Sequence, residues 1–324
     1  MANDSNGEFY LIRRFFHSDV QRSDVALGIG DDCALLEMPA GHQLAVSMDT
    51  LVEGTHFLFS DDPFGVGHKS LAVNLSDLAA MGAKPAWATL ALSLPDNGPE
   101  YMAWLAGFAA GFFALAEQYQ LALVGGDTTR GPLAITIQVH GHVRADKALL
   151  RSGAKPGDRI FVSGPLGDAA LALRTREDVD LDPRYHDEIE TRLHRPQPRV
   201  ELGLALSDYA SACIDISDGF AADLGHILER SHVGARICQA DLPMSTAMNA
   251  YVQQSGDYSL LWSGGEAYEL CFCIPESKVA AASAVLEQYT CRQVGVIEAE
   301  SGLRAVLADG QQRVISAAGY DHFS

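Results

Sequence analysis

Leu121-Ala-Leu-Val-Gly-Gly-Asp-Thr-Thr129 is the stretch on which the fold turns. Four continuous apolar residues read as a short buried strand, and a glycine pair followed by an aspartate stops the run in a charged, turn-forming end. Upstream, the uncharged apolar run between Glu100 and Glu117 has sixteen residues, short of the ~20 needed to cross a bilayer. Its Gly107 and Gly111 have the spacing that lets helices approach closely, so a buried helix is predicted over Tyr101–Tyr119. Further out lie a strand at Trp87–Leu94, a helix at Lys69–Met81 and a strand at Leu44–Ser47. Downstream, Leu133–Val143 alternates as a half-buried strand does, with His140 and His142 as ordinary outward-facing residues.

The turn-rich Arg151-Ser-Gly-Ala-Lys-Pro-Gly-Asp158 predicts a connection to a second mixed half. There, strands are expected at Arg159–Ser163, Ala212–Ile216, Ala235–Cys238, Leu270–Ile274 and Gln293–Ile297. Helices are expected at Asp168–Arg174, Arg199–Tyr209, Asp218–Arg230 and Ser277–Gln288. The charged, proline-punctuated run Thr175–Pro198 reads as a solvated excursion, and a last hairpin, Leu303–Ser316, turns at Ala308-Asp-Gly310. The expected class is α/β (α+β mixed) in two domains, 1–145 and 146–324.

A length of 324 residues is about twice the usual ~150-residue domain. With 48% hydrophobic and 20% charged residues, the composition is that of a globular protein. The net charge of −19, from 23 Lys plus Arg against 42 Asp plus Glu, repels phosphate backbones and excludes general binding of nucleic acid or anionic membranes. A polyanionic ligand would need cations brought with it. No basic region followed by an apolar run is seen at Met1–Glu8, so no secretory signal is expected. Six cysteines without a C-x-x-C pair read as reduced, buried thiols of a cytoplasmic protein; Cys33 in particular reads as a small buried residue.

Aspartates recur at the ends of predicted strands beside glycine or serine: Gly28-Ile-Gly-Asp-Asp32, Ser47-Met-Asp-Thr50, Asn74-Leu-Ser-Asp77, Gly125-Gly-Asp127 and Asp215-Ile-Ser-Asp-Gly219. Any one of these could be a plain turn, but five together read as a hard-oxygen site. Mg²⁺ suits it, because it takes carboxylates, hydroxyls, water and substrate phosphates. Neighbouring glycines would let backbone N–H groups approach phosphate oxygens. Asp215 stands in an apolar strand end, where a lone charge needs a partner. Gly65-Val-Gly-His-Lys-Ser70 lacks the spacing of a Walker loop, and Gly28-Ile-Gly-Asp-Asp-Cys33 lacks the third glycine of a dinucleotide fingerprint.

Together with Asp49-Thr-Leu-Val-Glu-Gly-Thr-His-Phe57, Val73-Asn-Leu-Ser-Asp-Leu-Ala-Ala-Met-Gly-Ala-Lys-Pro85, Ser263-Gly-Gly-Glu266 and Gly319-Tyr-Asp-His-Phe323, these segments resemble the thiamine-monophosphate kinases, members of the aminoimidazole ribonucleotide synthetase-like ATP-binding superfamily. The resemblance spans nearly the whole chain. It implies an amino-terminal ATP/Mg-binding domain whose sheet forms a dimeric barrel with a second copy, and a carboxy-terminal α/β domain that completes the ATP and substrate site. The implied activity is ATP-dependent phosphorylation of thiamine monophosphate to thiamine diphosphate by direct in-line transfer, the last step of thiamine diphosphate biosynthesis.

Carried over by motif, the implied magnesium ligands are Asp32, Ser47, the Met48 carbonyl, Asp49, Asp77, Asp127, Asp215 and Asp218, with Asp31 a neighbour. Asp49, Asp127, Asp215 and Asp218 are the implied catalytic set, and Gly126, Asp127, Arg151 and Ser217 the implied ATP contacts, Arg151 as a fixed cation for phosphate oxygens. His56, Glu266 and Tyr320 match the thiamine-phosphate side. Two positions depart from the family pattern: Ala267 replaces an aspartate in Gly265-Glu-Ala-Tyr-Glu-Leu270, and Met48 stands where threonine is usual. Competing readings are a related ATPase or synthetase that works through a phosphorylated intermediate, and a non-catalytic binding protein for Mg-nucleotide or thiamine phosphate.

Overall fold

In the computed structural model, residues 7–16, 22–177, 179–307 and 310–316 are described. The chain divides into two compact units, Met1–Leu78 with Ala83–Ala145, and Asp146–Ser324 with Ala79–Gly82.

The first unit runs α1 (Glu8–Phe15), β1 (Val25–Leu27), β2 (Leu35–Leu36), β3 (His42–Val52), α2 (Pro63–Ala80), β4 (Lys84–Leu94), α3 (Pro99–Gln118), β5 (Ala122–Arg130) and β6 (Ala134–Arg144). β3, β6, β4 and β5 form one sheet in that order. Only the β4–β5 pair is parallel, as a connection through α3 requires. Ile135, Ile137 and Val139 of β6 are buried on one face of the sheet, together with Leu90 and Leu92 of β4. On the other face, β3 leaves Leu44, Val46 and Met48 about half exposed, at 49%, 51% and 59%. The sheet thus has one covered face and one open apolar edge.

α2 begins earlier than the sequence pattern predicts. Its first turns contain the Gly65–Ser70 segment that superficially suggests a Walker loop, and Lys69 and Ser70 are buried there. The reason lies in the α2–α3 contact. A Cβ on Gly111 would stand 1.9 Å from the Phe64 carbonyl oxygen, and one on Gly67 would stand 2.0 Å from that of Phe108. The two backbones meet with no room for a methyl, as the glycine spacing in α3 led one to expect. Gly111→Ala must push the helices apart; we expect a loss of roughly 2 kcal/mol or more, seen as a lower denaturant midpoint with an unchanged m-value.

His142 does not face outward. It is 8% exposed, with its ring edge-on to Trp87 at 4.9 Å and Nε2 4.0 Å from an Asp24 carboxylate oxygen. Asp24 is in turn held by the Arg22 guanidinium at 2.6 and 2.8 Å. A bulge in β4 between Pro85 and Trp87 brings the indole over this end of the sheet, which a strict alternation of inward and outward positions does not foresee.

The second unit contains β7 (Arg159–Val162), α4 (Asp168–Thr175), α5 (His186–His194), α6 (Val200–Leu206), β8 (Ala212–Asp215), α7 (Phe220–Ser231), β9 (Gly234–Cys238), α8 (Thr246–Ser255), α9 (Ser259–Ser263), β10 (Leu270–Ile274), α10 (Glu276–Gln288), β11 (Arg292–Glu298), β12 (Gly302–Val306) and β13 (Gln312–Ile315). Its sheet has the order β13-β12-β9-β11-β7-β10-β8, antiparallel except for β9–β12. All five residues of β10 are buried, which is why Leu-Cys-Phe-Cys-Ile reads as a continuous apolar run. The Thr175–Pro198 run is not simply solvated: Leu181, Ile189 and Leu193 enter the core, the last two from α5. Its apolar residues are too sparse to stand out, but their helical spacing gives α5 one inward face.

The six cysteines are free thiols. Cys213, Cys271 and Cys273 are buried, and burial raises their pKa values. Cys33, however, is exposed, because it sits in the loop between the short strands β1 and β2 rather than against a core. No helix among the described residues is long and apolar enough to cross a membrane.

Candidate active site

Four oxygen-bearing side chains of the first unit meet where β3 passes α2. Ser47 and Asp49 point to the same face of β3 by strand alternation, and α2 presents Asn74 and Asp77 to it. The Ser47 hydroxyl donates to Asp77 Oδ2 at 2.5 Å. The Asp49 backbone N–H donates to Asn74 Oδ1 at 3.1 Å, and the fully buried Asn74 is fixed by its own Nδ2, which donates to the Ser70 carbonyl at 3.0 Å. Burial, and then repulsion from Asp77, push the Asp49 carboxyl up to about 6. Two carboxylates brought together in a half-buried niche disfavour each other's charge, and a divalent cation relieves that. The donors are hard oxygens, which fits Mg²⁺. Among the described residues no group of three or more His, Cys, Asp or Glu side chains is placed to hold a metal ion; Ser47, Asp49 and Asp77 would hold Mg²⁺ only together with water and phosphate oxygens.

Asp77 therefore lies inside a helix and not at a strand end. Ser47 and Asp49 lie within β3, which is eleven residues long, and Asp127 lies within β5. β5 runs past the predicted end at Val124 because its pairing with β4 continues, with Ala91 opposite Asp127. Gly126 has φ +153°, and a Cβ there would stand 1.9 Å from the Leu90 carbonyl oxygen, so the glycine is required by strand packing whatever else it contacts. Asp127 is exposed, as is Asp32, whose backbone N–H donates to Asp31 Oδ1 at 2.9 Å. Met48 turns its side chain to the opposite, exposed face, so the methionine stays out of the Ser47–Asp49–Asp77 niche. His56 caps the turn after β3, its Nδ1 accepting the Val52 N–H at 3.0 Å.

In the second unit Asp215 ends β8 and is 4% exposed. The following loop carries Ser217 and Asp218 into α7. Glu266 has a left-handed φ of +61°, and its N–H donates to the Ser217 carbonyl at 2.7 Å. The ATP-matched Ser217 and the substrate-matched Glu266 are thus joined backbone to backbone. The Arg151 carbonyl accepts from Ser231 Oγ at 3.3 Å, at the last residue of α7. There Arg151 lines a cavity of about 630 Å³ with His226, Glu229, Arg230 and His232. Tyr320 lies outside the described residues.

Sequence reasoning missed Asp223 and left open whether Glu269 compensates for Ala267. Asp223, in the first turn of α7, accepts the backbone N–H groups of Ser217, Asp218 and Gly219. Burial, then repulsion from Asp218, raise its pKa to about 7 against the pull of those three hydrogen bonds. Glu269, 2% exposed, accepts from Ser163 Oγ at 2.5 Å and from Arg199 Nε at 2.7 Å. A second Arg199 contact joins Nη2 to Oε1, and Arg192 lies 3.7 Å from the carboxylate. Glu269 is committed to that ion pair and does not stand in for the carboxylate missing at Ala267, which packs against the core. An apolar strand start preceded by a glutamate was the available signal.

The two halves match the models for AIR synthase related protein, N-terminal domain, at residues 30–143 and AIR synthase related protein, C-terminal domain, at residues 155–308, which sets the class. The thiamine-monophosphate kinase of Escherichia coli K12 is 48% identical over 98% of both chains. The crystal structure of thiamine-monophosphate kinase from Stenotrophomonas maltophilia K279a is 44% identical with a TM-score of 0.84, covering 93% of this chain and 96% of that one. A structure of AaThiL complexed with AMPPCP and TMP is 31% identical with a TM-score of 0.77, covering 100% and 99%. The chain belongs to the thiamine-monophosphate kinase family.

Proposed function

We propose that this protein transfers the γ-phosphoryl group of ATP directly to thiamine monophosphate, giving thiamine diphosphate and ADP. The observation that carries the reading is the end-to-end match to AaThiL, a protein that holds AMPPCP and TMP. The chemistry is consistent with the niche built by β3 and α2. The acceptor is a phosphate with a second pKa near ~6, so near pH 7 it is already largely the anionic nucleophile and needs no strong base. What has to be overcome is repulsion between two polyanions on a chain of net charge −19.

Mg²⁺, when bound, would supply that neutralisation. We assign Ser47, Asp49 and Asp77, with the Met48 carbonyl, Asp32 and Asp127, as its ligands in the first unit, and Asp215 and Asp218 as ligands in the second. Ser217, Gly126, Asp127 and Arg151 are assigned to ATP, and His56, Glu266 and Tyr320 to thiamine monophosphate. A homodimer is part of the proposal: a second copy covering the sheet would remove Leu44, Val46 and Met48 from water, and would abolish the open strand edge at β3. A cytoplasmic location is part of the proposal, supported by the six free thiols, which persist in a reducing compartment.

The test is incubation of the purified chain with Mg-ATP and thiamine monophosphate, following thiamine diphosphate and ADP by chromatography. Equimolar appearance of both products is expected. ADP without thiamine diphosphate points to a related ATPase; calorimetric binding without either product points to a non-catalytic binder. Either result overturns the proposal.

A further inference from the structure

The loop after β8 is clamped from two sides. On one side Asp223 Oδ2 accepts three successive backbone N–H groups, from Ser217 at 3.0 Å, Asp218 at 3.1 Å and Gly219 at 3.1 Å, and the residue is only 3% exposed. On the other side the Ile216 carbonyl accepts the Tyr268 N–H at 2.8 Å and the Ser217 carbonyl accepts the Glu266 N–H at 2.7 Å. Glu266 and Tyr268 both hold left-handed φ angles, +61° and +49°, conformations that a non-glycine residue keeps only when its surroundings impose them. Three amides converging on one point make an anion nest. Here the nest is filled by the chain's own carboxylate, so Ser217 has its hydroxyl, and not its amide, to offer a nucleotide.

We propose that Asp223 is a positioning residue for phosphoryl transfer: it touches neither substrate nor metal, but fixes Ser217 and Asp218 and, through the Ser217 carbonyl, Glu266. This rests on the kinase reading above. Because one Asp223 oxygen accepts three successive backbone N–H groups, losing the side chain leaves all three donors without that partner and frees the loop even where the strand and helix on either side persist. The consequence is a weaker metal site at Asp218 and a weaker substrate contact at Glu266, with the fold retained.

The full-length protein, Asp223→Ala and Asp223→Asn are compared by turnover at varied Mg²⁺ and varied thiamine monophosphate, and by Mn²⁺ binding followed by electron paramagnetic resonance without nucleotide. For Asp223→Ala we expect at least a tenfold rise in half-saturating Mg²⁺, a matching loss of Mn²⁺ affinity and a several-fold rise in KM for thiamine monophosphate. Asp223→Asn, which keeps an acceptor oxygen without its charge, falls between. A folded Asp223→Ala with wild-type Mg²⁺ dependence and Mn²⁺ affinity, even if less heat-stable, overturns the proposal. Should Asp223→Ala not fold, Asp223→Asn decides, and wild-type values there overturn it. If the wild-type chain fails to phosphorylate thiamine monophosphate, the kinase reading falls, while the Mn²⁺ titration still decides whether Asp223 shapes the metal site.

Discussion

Asp49→Asn is expected to lower turnover of thiamine monophosphate by at least a hundredfold while making the metal-free protein more stable. The two effects have one cause. Asp49 is held beside Asp77 in a half-buried niche, and its carboxyl is pushed up to about 6, so its charge is unwelcome unless a cation is present. Removing the charge removes one of the proposed metal ligands, and phosphoryl transfer depends on cations placed between two polyanions. For stability, a folded-state pKa above the unfolded value means that the folded protein is penalised once the group ionises. Below about pH 4 both states are protonated and the penalty is absent. It grows as pH rises and is complete above about pH 6. At pH 7 the relief is on the order of 2–4 kcal/mol, which calorimetric melting without Mg²⁺ reads as a higher Tm. Adding Mg²⁺ should raise the Tm of the wild type and not that of Asp49→Asn. Equal turnover in the two proteins would remove Asp49 from the metal site. The exposed Asp127→Ala serves as the comparison, with turnover lost and no gain in Tm.

Glu269→Ala is expected to cause the largest loss of stability. The carboxylate is buried with two hydrogen bonds at 2.5 and 2.7 Å from Ser163 and Arg199, and Arg199 makes a second contact with it. Deleting one partner of a buried pair leaves the other charge uncompensated, at a cost of about 3–5 kcal/mol. In a unit of this size that lowers the Tm by roughly 10 °C. Arg199→Met in the same chain should recover part of the loss, because the guanidinium hydrogen-bonded to Glu269 is then gone and only the more distant Arg192 remains. A double variant no more stable than Glu269→Ala, or a single variant that melts like wild type, would show that the ion pair does not hold the second unit together.

Much of the architecture could be read from the pattern of apolar residues. Ile135, Ile137 and Val139 alternate because one face of β6 is covered, and Leu270–Ile274 is unbroken because β10 is covered on both. Gly107 and Gly111 announced a close helix contact. Where the reading failed, a long-range partner outweighed the local signal. Glycines 125 and 126 look like a strand end, but parallel pairing with β4 carries β5 to Arg130. His142 looks like a surface residue of an alternating strand, but Trp87 and Asp24 close over it. In α5, two apolar residues amid charges were enough to make a buried face.

The same division holds for the candidate site. Sequence by itself determined the chemistry on offer: which carboxylates, hydroxyls and glycines the chain carries and at what spacing, from which the proposal of magnesium-assisted phosphate chemistry starts. Residue type and local spacing are properties of the chain, and they survive in any reading of it. Only the tertiary structure decided that Ser47, Asp49 and Asp77 meet across a strand and a helix, that the Arg151 backbone is held by Ser231 at the end of α7, and that Asp223 and Glu269 are spent on holding their neighbours. Those outcomes depend on contacts between residues as many as 106 positions apart, as from Ser163 to Glu269, and such contacts exist only once burial has brought the elements together.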